Sequence, residues 1–314
     1  MTYDVIVIGG GPAGLSGAVA LGRALRSVLV VDAAAPRNAP ADGIHNYLTR
    51  DGVRPAEFRA AGQSEVRQYG GKITEGTVTT ATREGALLSI ALADGRSFTA
   101  RRLLITTGLT DDLPDIPGLR ERWGHEVLHC PYCHGFEMRG QAIGILGTSP
   151  MSLHQALMWR QWSDDVTLFR HTAPDPDATQ TEQFAARGIK VVPEKVAEVV
   201  VHQNKLTGVR LADGTFTARD ALVVAPRFLA NAEVLRSLGL DATENDFGGA
   251  VAAEPTGQTA VPGVWVAGNV TDQMAQVVTA AAAGLHTGAM INADLMADDT
   301  AQAVSAHRAV ANSS

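Results

Sequence analysis

The chain is 314 residues long with 45% apolar and 19% charged residues, which fits two globular domains with filled cores and excludes a largely disordered protein. Its net charge of −7 argues against a nucleic-acid or anionic-membrane partner. No apolar run reaches the roughly 18 residues of a membrane-spanning helix, and Met1 leads straight into an apolar strand without a basic leader, so a cytoplasmic, soluble protein is expected.

Val5-Ile6-Val7-Ile8 is an unbroken apolar run, the pattern of a parallel strand covered on both faces. Gly9-Gly10-Gly11-Pro12-Ala13-Gly14 follows, then an Ala- and Leu-rich helix to about Leu25, then Ser27-Val28-Leu29-Val30-Val31-Asp32. Strand, glycines, helix, strand and acid in register form a dinucleotide fingerprint, far more specific than G-x-G-x-x-G alone. Gly9 allows the tight turn, Gly11 the approach of backbone to pyrophosphate, and Gly14 the packing of helix on strand. Asp32 is placed for a ribose hydroxyl, and the helix N-terminus offers N–H groups to the phosphates. Ile44-His45-Asn46 reads as a loop and Leu104-Ile105-Thr106-Thr107-Gly108 as a strand ending in glycine.

Leu113-Pro114-Asp115-Ile116-Pro117-Gly118 is a proline-punctuated crossover and a domain boundary. Beyond it His129-Cys130-Pro131-Tyr132-Cys133-His134 holds the only two cysteines of the chain. Two thiols so spaced, in an intracellular chain with βαβ patterning, read as a redox disulfide rather than a structural staple. Strands are predicted at 142–146, 166–169, 189–192, 197–201, 206–211 and 221–225, with a helix over 152–162, and 235–241 leads back. Pro174-Asp175-Pro176-Asp177 reads as a rigid surface turn and no more. Val261-Pro262-Gly263-Val264-Trp265-Val266-Ala267-Gly268-Asn269-Val270 is a turn, a buried strand and a glycine, followed by a helix from Gln276 and Val277 to Gly284. Residues 301–314 are small and polar, a tail expected to fray. The fold class is α/β: two Rossmann-like (three-layer ββα) dinucleotide-binding domains, the second inserted into the first, with boundaries at 1–113, 114–241 and 242–314.

The Val264–Asn269 segment resembles the "AGD" element that closes over FAD in two-dinucleotide-fold disulfide reductases, with Asn269 in place of the usual Asp. Leu104–Gly108 is similar to the family's "ATG" strand. The order of fingerprint, ATG-like strand, Cys-x-x-Cys inside the second domain and AGN element resembles the low-molecular-weight thioredoxin reductases over nearly the whole chain. In the larger disulfide reductases the cysteines lie in the first domain. The resemblance implies FAD, its ADP half on Gly9, Gly11, Pro12, Ala13, Gly14 and Asp32. The other cofactor positions it implies are Asn46, Val78, Thr107, Gly108, Gly268, Asn269, Gln276 and Val277. It also implies a homodimer, and NADPH in the inserted domain.

That last implication meets a departure. The family carries G-x-G-x-x-A after the first inserted strand; aligned from Leu146, this chain places Leu146, Thr148 and Met151 at the three small-residue positions. A Leu at a tight turn and a β-branched Thr beside pyrophosphate both obstruct it. Where the family carries His-Arg-Arg, which grips the 2′-phosphate, this chain reads Phe169-Arg170-His171-Thr172, with Arg170 and His171 as remnants and no Arg pair. A nicotinamide site so altered suggests electrons entering from a dithiol and leaving to oxygen. The chain then resembles the family's dithiol-oxidase branch, the flavoenzymes that close disulfides in gliotoxin- and holomycin-type natural products, which share Cys130, Cys133 and His134.

On this reading a substrate thiolate attacks Cys130, Cys133 is the flavin-side sulfur, and a helix starting after Cys133 lowers its pKa. His134 takes the substrate proton, suited by an unperturbed pKa of ~6.5, with His129 as second base or orienter. An NADPH-dependent thioredoxin-disulfide reductase and a non-enzymatic redox-sensing flavoprotein are the alternatives. Cys-x-x-Cys-His also serves c-type haem, which needs export, and zinc would need His129, Cys130, Cys133 and His134 to converge, rare for adjacent residues; no metal is expected. Trp159 and Trp162 read as core, and Phe136 and Met274 as pocket or structural residues alike.

Overall fold

The computed structural model describes residues 2–312 and divides into two compact units, residues 1–39, 56–110 and 228–314 in one, 40–55 and 111–227 in the other. In the first, β1 (Thr2–Ile8) is buried from Val5 to Ile8 and pairs in parallel with β2 (Val28–Asp32), whose five residues are all buried. Both strands read as continuous apolar runs because both of their faces are covered. Between them α1 (Pro12–Arg23) opens with Pro12, where no N–H is needed. α2 (Pro55–Gln68) leads to β3 (Lys72–Glu75), which extends the sheet beside β2. β4 (Val78–Glu84), β5 (Leu87–Leu92) and β6 (Ser97–Ile105) form an antiparallel meander whose last strand lies parallel to β1. β7 (Leu109–Asp112) then carries the chain into the second unit.

That unit holds β8 (Val127–Leu128), α3 (Pro131–His134), β9 (Ile143–Leu146), α4 (Pro150–Trp159), β10 (Val166–Phe169), α5 (Ala178–Ala186) and β11 (Lys190–Val192). An antiparallel ribbon follows, β12 (Val196–His202), β13 (Lys205–Leu211) and β14 (Phe216–Ala218), then β15 (Ala221–Val223). The parallel sheet runs β11-β10-β9-β15-β8, with one apolar core around Phe169 and Leu222 and another around Trp159 and Phe184. Asp177 does more than turn the chain: its carboxylate accepts the Gln180 N–H at 2.7 Å and Gln180 answers, a capping box that starts α5.

The chain returns through β16 (Arg227–Ala230), α6 (Glu233–Arg236), β17 (Ala242–Asn245) and β18 (Gly248–Val251) to β19 (Val264–Val266) and α7 (Val277–Ala311). The first unit's sheet has the order β3-β2-β1-β6-β5-β4, and β19 pairs with Leu103, Leu104 and Ile105 of β6. Three expectations are corrected here. Residues 228–241, assigned by sequence to the insertion, belong to the first unit, because Ala230, Ala232, Val234 and Leu235 are buried in its core with Ile6 and Leu103. Residues 40–55, assigned to the first domain, group with the insertion. The stretch expected to fray is helical as far as Ala311, the end of α7, since its alanine-rich sequence favours helix even where residues 301–312 are exposed; residues 313 and 314 lie outside the described residues. Among the described residues, no helix is long and apolar enough to cross a membrane.

Candidate functional site

The glycine turn of the first unit is shaped by contacts that leave no room for side chains. Gly9 sits at φ +108°, and a Cβ there would lie 2.4 Å from the Thr106 carbonyl oxygen; one on Gly14 would lie 1.9 Å from that of Gly9. The buried Thr106 hydroxyl reaches the carbonyls of Ile8 and Gly9 at 3.0 and 2.9 Å and pins the turn to β6. Gly11 differs: a Cβ there would meet nothing within 4 Å. It is the N-cap of α1 and has no side-chain capping bond, so open space lies beside backbone donors at the positive end of a helix. These residues fit the pyrophosphate of a dinucleotide. Asp32 is buried beside Gly10, its Oδ2 taken by Arg59 Nε at 3.0 Å and Nη2 at 2.5 Å.

Gly268 approaches the start of α1 so closely that a Cβ on it would stand 2.9 Å from that of Ala13. Asn269 donates its amide N–H groups to the carbonyls of Asp272 and Ala275 at 3.0 and 2.9 Å, holding together the loop that ends at Gln276, the N-cap of α7, beside Val277. Thr107 Oγ1 donates to the Asn231 carbonyl at 2.7 Å, the Asn231 amide donates back to the Thr107 carbonyl at 3.0 Å, and its backbone N–H bonds Gly108. Val78 packs on the core of this unit. Sequence reasoning missed Arg59, Thr106 and Asn231. Thr106 lay inside the quoted strand motif, whereas Arg59 and Asn231 reach their partners across long stretches of chain and leave no local signal.

In the second unit Cys130 and Cys133 form a disulfide, Cα atoms 5.2 Å apart, and both residues are half-buried. The helix expected after Cys133 begins earlier: Cys130 is the N-cap of α3, Pro131 its first residue, and the backbone N–H groups of Cys133 and His134 both donate to the Cys130 carbonyl at 3.2 Å. Proline at a first helical position explains the shift. Burial pushes the His134 imidazole below its ordinary pKa; Glu137 and Asp42 oppose this and His45 and His129 add to it. His129 Nδ1 lies 3.2 Å from the Val224 carbonyl. Gln155 Nε2 stands 3.4 Å from the same Nδ1.

Asn46 is brought to the dithiol: its side-chain amide donates to the Tyr132 carbonyl at 2.6 Å. Trp162 lies beyond the end of α4, its ring edge-on to Tyr132 at 5.8 Å and flat against Gly135, where a Cβ would come 2.7 Å from the ring. Trp159 is wholly buried core. Phe136 and Met274 are exposed, Phe136 beneath the Arg139 guanidinium.

The register of the inserted turn is one residue from that expected. Gly9 N bonds the carbonyl of Val31, the last residue of β2 but one, at 2.8 Å, and Gly147 N bonds that of Phe169 at 2.7 Å. Leu146, still in β9, matches Ile8, and Pro150, first residue of α4, matches Pro12. The tight-turn glycine is thus kept as Gly147, and Ser149 and Ser152, not Thr148 and Met151, occupy the positions of Gly11 and Gly14. Ser152 is fully buried and accepts the Thr148 N–H at 3.1 Å. Beyond β10, Arg170 Nε pairs with Asp175 at 3.2 Å. His171 Nδ1 accepts the Val196 N–H at 3.1 Å, and burial, helped by Lys195, lowers its pKa.

A twin dinucleotide fold with a disulfide in the inserted unit defines a class, and the chain belongs to it: the model of the pyridine nucleotide-disulphide oxidoreductase family matches residues 3–284. The protein is a thioredoxin reductase-like thiol-disulfide oxidoreductase, and its cofactor is FAD. It is 31% identical to thioredoxin reductase sirT of Leptosphaeria maculans, over 95% of this chain and 96% of that one. It is 33% identical to thioredoxin reductase tcpT of Claviceps purpurea, over 94% and 95%. The crystal structure of HlmI superposes with a TM-score of 0.92 at 42% identity, covering 97% of this chain and 96% of that one.

Proposed function

We propose that the protein oxidises a small-molecule dithiol to its cyclic disulfide by exchange at Cys130–Cys133, with oxygen reduced to hydrogen peroxide. The observation that carries this reading is the committed state of the 2′-phosphate positions, Arg170 bound to Asp175 and His171 neutral on the Val196 N–H. Hydride from NADPH lacks its usual grip, so the electrons come from sulfur.

The roles divide among this chain's residues. A substrate thiolate attacks Cys130 Sγ, and Cys133, in the first turn of α3, leaves as thiolate. The second substrate thiolate attacks the mixed disulfide and leaves Cys130 reduced. His134, kept neutral by burial, takes the thiol proton, and His129 orients or assists. Gly9, Gly11, Pro12, Ala13, Gly14 and Asp32 would hold the ADP half of FAD, and Val78, Thr107, Gly108, Gly268, Asn269, Gln276 and Val277 would hold the rest. Bound FAD supplies the two-electron acceptor for the reduced pair and the link to oxygen.

A second reading, an NADPH-dependent thioredoxin-disulfide reductase, draws on the retained Gly147. Anaerobic mixing separates the two. Bleaching of the flavin by a dithiol, with peroxide on admitting air, is the expected result, lost in Cys130→Ser while FAD stays bound. Bleaching by NADPH at catalytic speed would overturn it in favour of the reductase, and bleaching by neither would favour a redox sensor. A homodimer in the cytoplasm, acting on small molecules rather than nucleic acid or membrane, completes the proposal.

A further inference from the structure

The dithiol helix carries a carbonyl that its own segment does not serve. α3 is a single turn: the Cys133 and His134 N–H groups take the Cys130 carbonyl at 3.2 Å, and the Gly135 N–H takes that of Pro131 at 2.7 Å. Among the described residues no backbone N–H reaches the Tyr132 carbonyl. Its donor comes from 86 residues away, the Asn46 side-chain amide at 2.6 Å. The Tyr132 C=O and the Cys133 N–H belong to one planar peptide unit. The unit that carries Cys133 is therefore held at both ends, by Cys130 on one side and by Asn46 on the other.

Residues 40–55, which group with the dithiol, form a strap built to present that amide. Ile44 is buried and bridges to Val53, its N–H on the Val53 carbonyl at 2.8 Å, and the Gly52 N–H returns to the Ile44 carbonyl at 2.7 Å. Inside this closed loop Asn46 stands at φ 61°, a left-handed conformation that asparagine adopts more readily than most residues. An Asp51 carboxylate oxygen accepts the Asn46 N–H at 2.8 Å and fixes the turn. The donor is thus in place before it meets the carbonyl, and the bond costs little conformational freedom.

Two thiols close a disulfide more readily when they are held within reach, because a high effective concentration replaces a chance encounter. Holding the peptide of Cys133 favours the closed Cys130–Cys133 pair over the open dithiol, whose arms are free to separate. We propose that Asn46, the residue the resemblance gives to the flavin, is a positioning residue of the dithiol. Its amide clamps the Tyr132 carbonyl, keeps Cys133 where it closes on Cys130, and makes the disulfide harder to reduce. The clamp acts on the pair itself and holds whichever way electrons flow.

The test uses full-length, FAD-loaded protein equilibrated without oxygen in mixtures of reduced and oxidised dithiothreitol. As the reagent closes its own S–S bond, two electrons and two protons pass to the Cys130–Cys133 pair and its bond breaks. Alkylation and mass spectrometry count the free cysteines, and absorbance reads the flavin in the same samples. Asn46→Gly removes the amide and keeps the backbone, since glycine takes a φ of 61° without strain. Its pair should be half reduced at an about fivefold lower ratio of reduced to oxidised reagent, the net worth of one hydrogen bond, or about 20 mV. Asn46→Asp suits the same backbone but sets a carboxylate, which only accepts, against a carbonyl, and should shift the midpoint at least as far. Asp51→Ala frees the turn and should shift it the same way by less. The flavin midpoint should stay at its wild-type value. A merely structural role would lower the urea midpoint without moving the cysteine ratio. An unmoved cysteine midpoint in Asn46→Gly, or one moved toward harder reduction, overturns the clamp, and a shift confined to the flavin assigns Asn46 to the cofactor instead. If Asn46→Gly fails to fold, Asn46→Asp and Asp51→Ala decide by the same midpoints.

Discussion

His134 must be neutral to accept a thiol proton, and its surroundings keep it so. Burial disfavours the imidazolium and outweighs the rest: Glu137 and Asp42 oppose it, His45 and His129 add to it, and the folded-state pKa lies below 6.5. The sign follows directly: activity is lost as falling pH protonates the ring, and the acid limb of kcat/KM should sit below pH 6.5. His134→Ala should lower kcat/KM about a hundredfold at pH 7 and abolish that limb; wild-type rates across pH would remove His134 as the base. At this scale the sequence was most legible where chemistry is local. Cys130, Cys133 and His134 announce themselves by spacing, and the glycines by the backbone conformations they permit. Arg59 on Asp32 and Asn231 on Thr107 were hidden because 27 and 124 residues separate the partners. The off-by-one register at Leu146 has a similar cause. A single glycine gives the turn no phase marker, and the bond from Gly147 N to Phe169 that defines it joins two strands.

The seam between α1 and α7 places the cofactor turn, and it is built from residues without side chains. A Cβ on Gly284 would stand 1.9 Å from the Ala13 carbonyl oxygen, one on Gly288 2.9 Å from that of Gly17, and one on Gly17 3.0 Å from that of Gly284. Backbone therefore meets backbone, and α7 lies directly against the first turn of α1. Further along, Arg102 pairs with Asp294 at 2.5 Å and Arg101 with Asp299 at 2.5 Å and Asp298 at 2.9 Å, fastening α7 to β6 before its exposed end begins. Two identical substitutions should separate seam from ligand space. Gly284→Ala forces the helices apart and should cost ~2 kcal/mol in urea unfolding, with FAD retention falling alongside. Gly11→Ala enters open space, so its urea midpoint should stay within about 1 kcal/mol of wild type, the scale of an N-cap change. Its FAD dissociation constant, read by flavin fluorescence, should nonetheless rise at least about tenfold, since a methyl would take the place of pyrophosphate. Equal effects of the two on stability would refute the distinction.

The two units share one architecture: parallel strands, a glycine at the first turn, and a proline opening the next helix. That likeness made the twin-domain order legible from patterning alone. Their boundaries were less so, because 40–55 and 228–241 join a unit by burying apolar residues or bonding partners that no composition shift marks. Yet the same fold carries different sites. Where the first unit has Gly11 facing open space, the second has Ser149; where the first has Gly14, the second has the buried Ser152. Where the resemblance looks for the grip on a 2′-phosphate, the side chains turn to the chain itself: Arg170 to Asp175 and the Pro193 carbonyl, His171 to the Val196 N–H. The consequence is measurable without turnover, because a ligand stabilises the folded state by RT ln(1 + [L]/Kd). At 1 mM, NADPH with a Kd near 10 μM would add about 2.7 kcal/mol, which a protein of this size registers as several degrees in Tm. With a Kd of ~10 mM the gain is under about 0.1 kcal/mol and invisible. The expected result for the FAD-loaded protein is the second, no shift at 1 mM NADPH. A shift of several degrees would mean that the inserted unit still seats the nucleotide, and the direction of electron flow would have to be reversed.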